Sequence, residues 1–156
     1  MRSTLAWFIC LFALVLTGCS TLVLQPADFS WPVELVLKPD GQGTVHDSRY
    51  QVSFNVKALL FEERQDSIEV TKYPIHVLCD RAGFYFITGK GFKHVYVFCQ
   101  ADGALKLEKK IFITEQGLEA PALNQNKPYI RLINEKKENE APLILSNDGI
   151  IEGGKQ

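Results

Sequence analysis

The sequence predicts an all-β fold, specifically an antiparallel β-sandwich or small barrel of about eight strands. From Val33 onward the apolar residues recur with a period of two, which is typical of strands, and not with the period of 3.6 of a helix. Turn signals rich in Gly, Asp and Pro separate these short apolar runs. Of the 156 residues, the 138 that follow residue 18 suit one domain with one core, which we place at residues 32–152.

The first predicted element is a hairpin with one solvated face. An apolar run that begins at Val33 is followed by the turn signal at residues 39–41, Pro-Asp-Gly. The returning strand then alternates, with polar residues between Tyr50, Val52, Phe54 and Val56. Antiparallel sheets commonly pack one face and solvate the other, and this alternation fits that arrangement. The next segment, 56–65, is expected to form no more than a turn or two of helix.

Three apolar segments in the middle of the chain predict a simple meander. They read "YPIHVLC" up to Cys79, then "GFYFIT", then "KHVYVFC" up to Cys99. Turn signals at 80–83 and 89–91 separate them, and Pro74 suits the end or edge of a strand. The second segment is therefore expected to lie between the other two.

The meander is rich in aromatic residues, and these allow two interpretations. Seven rings fall within 26 residues, and they are Tyr73, Phe84, Tyr85, Phe86, Phe92, Tyr96 and Phe98. Since neighbouring strand residues point to opposite faces, both faces of this sheet are apolar or amphipathic. We favour a sheet buried on both faces, because aromatic side chains bury the largest areas. The alternative is a binding surface for a protein, glycan or lipid headgroup, formed by Tyr85, Phe92, Tyr96 and Phe98.

The last predicted strands follow the turn at residues 102–103. The segment "ALKLEKKIFI" would place Leu105, Leu107, Lys109 and Ile111 on one side of a strand. Two short strands, "YIRLI" and "LIL", then flank the charged run 134–140, which we interpret as a solvated loop. Residues 153–156 are expected to fray.

Cys79 and Cys99 are a candidate disulfide. In a simple meander they would end the two outer strands, about 9 to 10 Å apart, whereas a disulfide needs Cα atoms within about 7 Å. A bridge therefore requires that the two strands be neighbours or face each other across a sandwich. The alternative is two small buried apolar residues.

The sequence contains none of the common catalytic or metal-binding motifs that were considered. HExxH, CxxC, GxSxG and phosphate-binding loop motifs do not occur, so we predict no catalytic residue, no metal site and no cofactor. If the protein is instead a small hydrolase built from scattered residues, the first candidates are His76, His94, Asp80 and Cys79.

The N-terminus has the features of a secretory signal peptide at residues 1–18. Arg2 precedes an unbroken apolar run of 12 residues, 5–16, and no acidic residue occurs before residue 19. As a helix this run would be about 18 Å long, short of the roughly 30 Å hydrocarbon core of a bilayer. The mature chain keeps 16 basic and 18 acidic side chains, a formal charge of −2, which gives no electrostatic case for binding nucleic acid.

The four residues that end the apolar run, Leu16-Thr17-Gly18-Cys19, resemble the lipobox of bacterial lipoproteins. The resemblance implies that the Cys19 sulfur receives a lipid, that the chain is cut after Gly18, and that the new N-terminus is usually acylated as well, with palmitate as the expected acyl group. Several acyl chains on one residue make attachment lasting. Ser20 follows the cysteine, and in lipoproteins of diderm bacteria this implies sorting to the outer membrane, facing the periplasm or the cell surface. Residues 19–31 would form the lipidated start and a short tether.

These observations predict a lipid-anchored protein of the cell envelope. We expect a non-catalytic module that binds or supports an envelope protein at the membrane surface. The alternatives are a pilot or assembly factor for a larger envelope machine, and the small envelope hydrolase described above.

Overall fold

The computed structural model describes residues 33–49, 52–65, 69–134 and 141–151. The predicted signal peptide, Cys19, the tether at 19–31 and the tail at 153–156 lie outside these residues. Within the described part of the chain, no helix is both long enough and apolar enough to cross a membrane.

Most of the described residues lie in strands. In chain order the strands are β1 (Leu35–Leu37), β2 (Thr44–Asp47), β3 (Val52–Asn55), β4 (Ile75–Cys79), β5 (Phe84–Gly89), β6 (His94–Ala101), β7 (Ala104–Phe112), β8 (Pro121–Asn126), β9 (Tyr129–Asn134), β10 (Leu143–Ser146) and β11 (Gly149–Ile150). One α-helix, α1 (Lys57–Arg64), follows β3, and a short 3₁₀ helix (Val70–Lys72) precedes β4.

The strands form three antiparallel sheets. A five-stranded sheet has the order β1-β4-β5-β6-β7, a four-stranded sheet has the order β11-β10-β9-β8, and β2 pairs with β3 alone. The prediction of an all-β fold is therefore confirmed. The predicted meander is also confirmed, since β5 lies between β4 and β6.

The first predicted hairpin is wrong in its pairing. β1 pairs with β4, and the hairpin that does form joins β2 to β3. Asp40 explains the early reversal of the chain, because its side-chain Oδ1 accepts the backbone N–H groups of Gln42 and Thr44, both at 2.8 Å. The chain has already turned at Thr44, so it starts a new strand ahead of the predicted one.

Helix α1 has the short length that the sequence predicts. It buries Leu59 and Leu60 and ends at Gln65, which has a positive φ of 56° and donates its N–H to the carbonyl of Phe61 at 2.8 Å. The same helix turns its side chains Glu62 and Glu63 toward the five-stranded sheet.

Both faces of the five-stranded sheet are buried, each by a different partner. One cluster joins the sheet to the β2–β3 hairpin and α1, and its buried residues are Val45, Val56, Leu59, Leu60, Val70, Ile75, Val77, Cys79, Tyr85, Ile87, Phe92 and Tyr96. We call this side the helix face. The other cluster joins the sheet to the four-stranded sheet, and its buried residues are Leu78, Phe86, Val95, Val97, Ile111, Leu118, Leu123, Ile130, Leu132 and Leu145. We call this side the sheet face.

A β-bulge divides the edge strand β7. Val97 of β6 lies opposite Lys109, but the next residue, Phe98, lies opposite Leu107, so one extra residue of β7 is inserted at Glu108. The bulge reverses the alternation along β7. Leu105 therefore packs against the cluster on the helix face, whereas Ile111 belongs to the sheet face, and the prediction that they share one side is wrong.

Candidate functional site

The rings proposed as an alternative binding surface lie mainly in the core. Tyr85, Phe92 and Tyr96 are buried, with Tyr96 fully inaccessible, and Phe98 is half-buried against the same cluster. They do not form an exposed aromatic surface, because α1 and the β2–β3 hairpin cover them. The edge-on contact of the Phe92 and Tyr96 rings, with centroids 6.3 Å apart, is typical of packed aromatic pairs.

The candidate disulfide between Cys79 and Cys99 is not formed, and both thiols are free. The register gives the reason. Cys79 pairs with Tyr85, which pairs with Phe98, so these three side chains share the helix face, and Cys99 points to the other face. Strand β5 also separates the two cysteines, as the sequence predicts for a meander.

The two thiols differ in their surroundings. Burial, assisted by the nearby Asp80 carboxylate, raises the pKa of the Cys79 thiol from 9.0 to about 11, which makes it a poor nucleophile at neutral pH. Cys99 is half-exposed and donates a hydrogen bond to Glu108 at 3.0 Å, and this bond raises its pKa.

A buried polar group of the helix face is the carboxylate of Glu63. Its side chain is only 1% exposed. Oε1 accepts hydrogen bonds from the Tyr96 hydroxyl at 2.6 Å and from His94 Nδ1 at 2.7 Å, and Oε2 accepts the backbone N–H of Lys93 at 2.6 Å. One buried carboxylate of α1 thus holds three donors at the start of β6. We call Glu63, His94 and Tyr96 the Glu63 cluster.

The electrostatics of the Glu63 cluster follow from burial and from its neighbours. Burial first, and then the hydrogen bond to Glu63, raise the pKa of the Tyr96 hydroxyl far above its ordinary value, so this hydroxyl stays protonated. Next to it, the hydrogen bond from Lys110 lowers the pKa of the Glu62 carboxyl. The Lys110 ammonium also lies 5.6 Å from the centre of the Tyr96 ring.

Within the cluster, His94 is the residue closest to solvent. Its side chain is 20% exposed, and the ring of Phe112 packs edge-on against it with centroids 5.5 Å apart. Because a carboxylate only accepts hydrogen bonds, Nδ1 of His94 is the donor in its bond to Glu63. The arrangement fastens α1 to β6 and orients one imidazole.

His76 has a different carboxylate partner. Glu34, just before β1, accepts hydrogen bonds from His76 Nδ1 at 2.8 Å and from the backbone N–H of Leu123 in β8 at 2.7 Å. This side chain therefore links the five-stranded sheet to the four-stranded sheet.

The four residues named as hydrolase candidates do not converge. His94 is held by Glu63 of α1, whereas His76 is held by Glu34. Asp80 uses its Oδ1 to accept the N–H groups of Ala82 and Phe84, which fixes the turn between β4 and β5. Glu62 and Glu63 are adjacent in the sequence, and such a pair of acids carries no local signal of the distant partners that Glu63 holds.

The described residues form at least two cavities. A small cavity of about 150 Å³ lies where the two large sheets end, next to Leu118, Leu132 and Asn134. A larger open groove of about 450 Å³ lies between the β4–β5 turn and the β8–β9 turn, and Arg81 and Lys127 line it. Among the residues described, no three His, Cys, Asp or Glu side chains are grouped to hold a metal ion.

Comparisons with known proteins give no match for this chain, whether with protein-family models, with curated protein sequences or with solved structures.

Proposed function

We propose that the protein is a lipid-anchored module of the cell envelope that binds or supports a protein partner at the membrane surface. The single observation that carries the proposal is the lipobox-like Leu16-Thr17-Gly18-Cys19 at the end of the apolar run. Lipid on Cys19 is the attachment to the membrane. Ser20 supports the outer membrane as the destination, with the β domain in the periplasm or at the cell surface.

The start of the described β domain supports the same proposal. Val33 is the first described residue, and 13 residues, 20–32, connect it to Cys19. Even a fully extended chain of this length reaches only about 45 Å. The domain would therefore stay close to the bilayer, where a partner of similar size can reach it.

The experiment tests the covalent attachment directly. The full chain is expressed in a diderm bacterium, and the N-terminal peptide is examined by mass spectrometry. We expect a peptide that begins at Cys19 and carries a diacylglyceryl group and an amide-linked acyl chain. Globomycin, which inhibits the lipoprotein signal peptidase, should cause the uncut precursor to accumulate.

A matched control distinguishes the two cysteines of the N-terminal segment. Cys10→Ala lies inside the apolar run and should leave the modification intact, whereas Cys19→Ala should abolish it. An unmodified N-terminal peptide in the parent protein would overturn the proposal. Crosslinking in intact cells then separates the candidate roles, because a pilot or assembly factor should yield one stoichiometric protein of a larger machine.

The hydrolase alternative has its own test in the same cells. In a strain that lacks the parent gene, His76→Ala and His94→Ala should each restore the parent phenotype, provided that the variant protein accumulates to the parent level. Loss of function without loss of protein would favour the hydrolase.

A further inference from the structure

The smaller cavity lies between a loop and one end of the four-stranded sheet. The loop is the segment 113–118, which follows β7 and is held by backbone hydrogen bonds. Ile113 donates its N–H to the carbonyl of Lys93 at 2.9 Å, and Leu118 donates to the carbonyl of Phe92 at 2.8 Å. The opposite wall is formed by the end of β9 and the start of β10, which pair with each other. Because both walls are fixed in this way, the cavity is formed before a ligand arrives.

Most of the lining of this cavity is apolar. Its volume is about 150 Å³, and its apolar lining residues are Ile113, Leu118, Leu132, Ala141 and Leu143. Leu118 and Leu132 are buried, whereas Ala141 is exposed and marks the side that opens to solvent. An apolar cavity of about this volume in another protein holds one benzene molecule. The volume lies below the roughly 300 Å³ at which sites for drug-sized ligands begin, so the cavity suits a smaller compound.

Asn134 adds a hydrogen-bond donor to this apolar lining. Its Oδ1 accepts the backbone N–H groups of Glu119 at 3.2 Å and Ala120 at 3.0 Å. These two bonds fix the orientation of the side-chain amide, so the other atom of the amide is the nitrogen. That Nδ2 atom is buried and has no hydrogen-bond partner among the residues that the structure describes. Since an unpaired buried donor costs free energy, an acceptor that enters the cavity would be stabilised there.

We propose that this cavity binds a small apolar molecule, about the size of one benzene ring, that carries one carbonyl oxygen. The apolar side chains surround the body of the ligand, and Nδ2 of Asn134 donates a hydrogen bond to its oxygen. Water fits this lining less well, because an enclosed water needs about two to four polar partners. The described lining offers the polar side chains of Asn134 and Thr114 alone. The size of the cavity and its unpaired donor together define this class of ligand.

The test compares two probes of equal shape. Cyclohexanone has the carbonyl oxygen, and methylenecyclohexane has a CH₂ group in its place. The protein is the mature chain, residues 19–156, with Cys19→Ala, so that neither acyl groups nor detergent compete for the cavity. NMR spectra of the backbone and side-chain amides follow each titration. We expect both probes to shift the amide signals of Leu118 and Leu132 saturably, and only cyclohexanone to shift the Nδ2–H signals of Asn134 downfield.

Two matched variants then identify the donor. Asn134→Asp keeps an oxygen that can accept the N–H groups of Glu119 and Ala120, but it removes the donor Nδ2. It should weaken the binding of cyclohexanone about tenfold and leave that of methylenecyclohexane nearly unchanged. Thr114→Val is the control, because it keeps the shape of a lining side chain and removes its hydroxyl. This variant should bind both probes as the parent does.

Three results would overturn the proposal. If neither probe binds the parent saturably, the cavity takes water only. If Asn134→Asp weakens both probes equally, its amide is not the donor to the carbonyl, and the same follows if Thr114→Val weakens cyclohexanone as strongly. The parent titration needs neither variant, so it decides the proposal even where a variant fails to fold. None of these results bears on the lipid at Cys19, which mass spectrometry tests separately.

Discussion

The two faces of the five-stranded sheet are buried by different means. On the sheet face, apolar side chains such as Phe86 and Val97 pack against apolar side chains such as Leu123 and Ile130 of the second sheet. On the helix face, apolar packing is combined with the Glu63 cluster, in which one buried carboxylate receives three hydrogen bonds. The stability of the sheet face comes from close packing of apolar side chains. The stability of the helix face comes also from hydrogen bonds between buried polar groups.

The two faces should therefore differ in which amino-acid substitutions they tolerate. An apolar interface accepts substitutions that keep volume, because no directional bond is lost. A buried carboxylate with three donors accepts almost none, since removal of the acceptor leaves each donor desolvated and unpaired. We therefore expect the stability of the helix face to depend on which polar groups a substitution removes, and the stability of the sheet face to depend on the change in side-chain volume.

Phe86→Ala is expected to have the largest effect, on the sheet face. Phe86 is 1% exposed, and its truncation should lower the free energy of unfolding by about 3 to 5 kcal/mol. Urea denaturation of the parent and variant measures this loss. Phe86→Leu should cost clearly less, and an equal cost in both variants would mean that ring shape and not volume governs this face.

Glu63→Ala is expected to lower the free energy of unfolding by about 3 kcal/mol, because the Tyr96 hydroxyl, the His94 ring and one backbone N–H lose their acceptor. The neighbouring Glu62→Ala is the control. It breaks an exposed ion pair with Lys110 and should cost less than about 1 kcal/mol. Similar losses in the two variants would contradict the role given to the buried carboxylate.

Alkaline pH should weaken the helix face through Cys79. Its pKa is 9.0 when unperturbed and about 11 in the folded protein, so its stabilising contribution is complete below pH 9 and is lost as the pH rises toward 11. The loss should reach up to about 2.5 kcal/mol. The measurement is the difference in unfolding free energy between the parent and Cys79→Ala across this range. A difference that does not change with pH would refute the effect.

Tyr96→Phe is expected to have the smallest effect, about 1 kcal/mol, because it deletes one hydrogen bond to Glu63 and keeps the ring. Thermal and urea unfolding compare it with Tyr129→Phe, whose ring is 37% exposed on β9 and whose change should be negligible. If combining Tyr96→Phe with Glu63→Ala gave fully additive losses, the two residues would not be energetically coupled.

The features that the sequence predicts correctly are local ones. The period of two predicts strands, the turn signals at 80–83 and 102–103 predict their ends, and adjacent segments predict the meander. Helix α1 also has the short length that is expected of the segment 56–65. Each of these signals depends on neighbours within a few positions of the chain.

The features that it does not predict depend on distant partners. Glu63 and His94 are separated by 31 positions, and Glu34 and Leu123 by 89, and neither pair leaves a mark in a local pattern. The pairing of β1 with β4 is missed for the same reason. The bulge at Glu108 is missed because a single inserted residue changes the phase of a strand without changing its composition.

The bulged edge strand β7 affects how copies of this protein would meet when they are crowded together. If the proposed anchor is present, copies tethered to one bilayer share a thin layer, where neighbours meet far more often than in bulk solution. A straight, uncharged edge strand would let β7 of one copy pair with β7 of another, so that their sheets join. Lys106 and Lys109 are exposed along this kinked strand, and like charges on two approaching copies repel, which disfavours edge-to-edge pairing of β7 between copies.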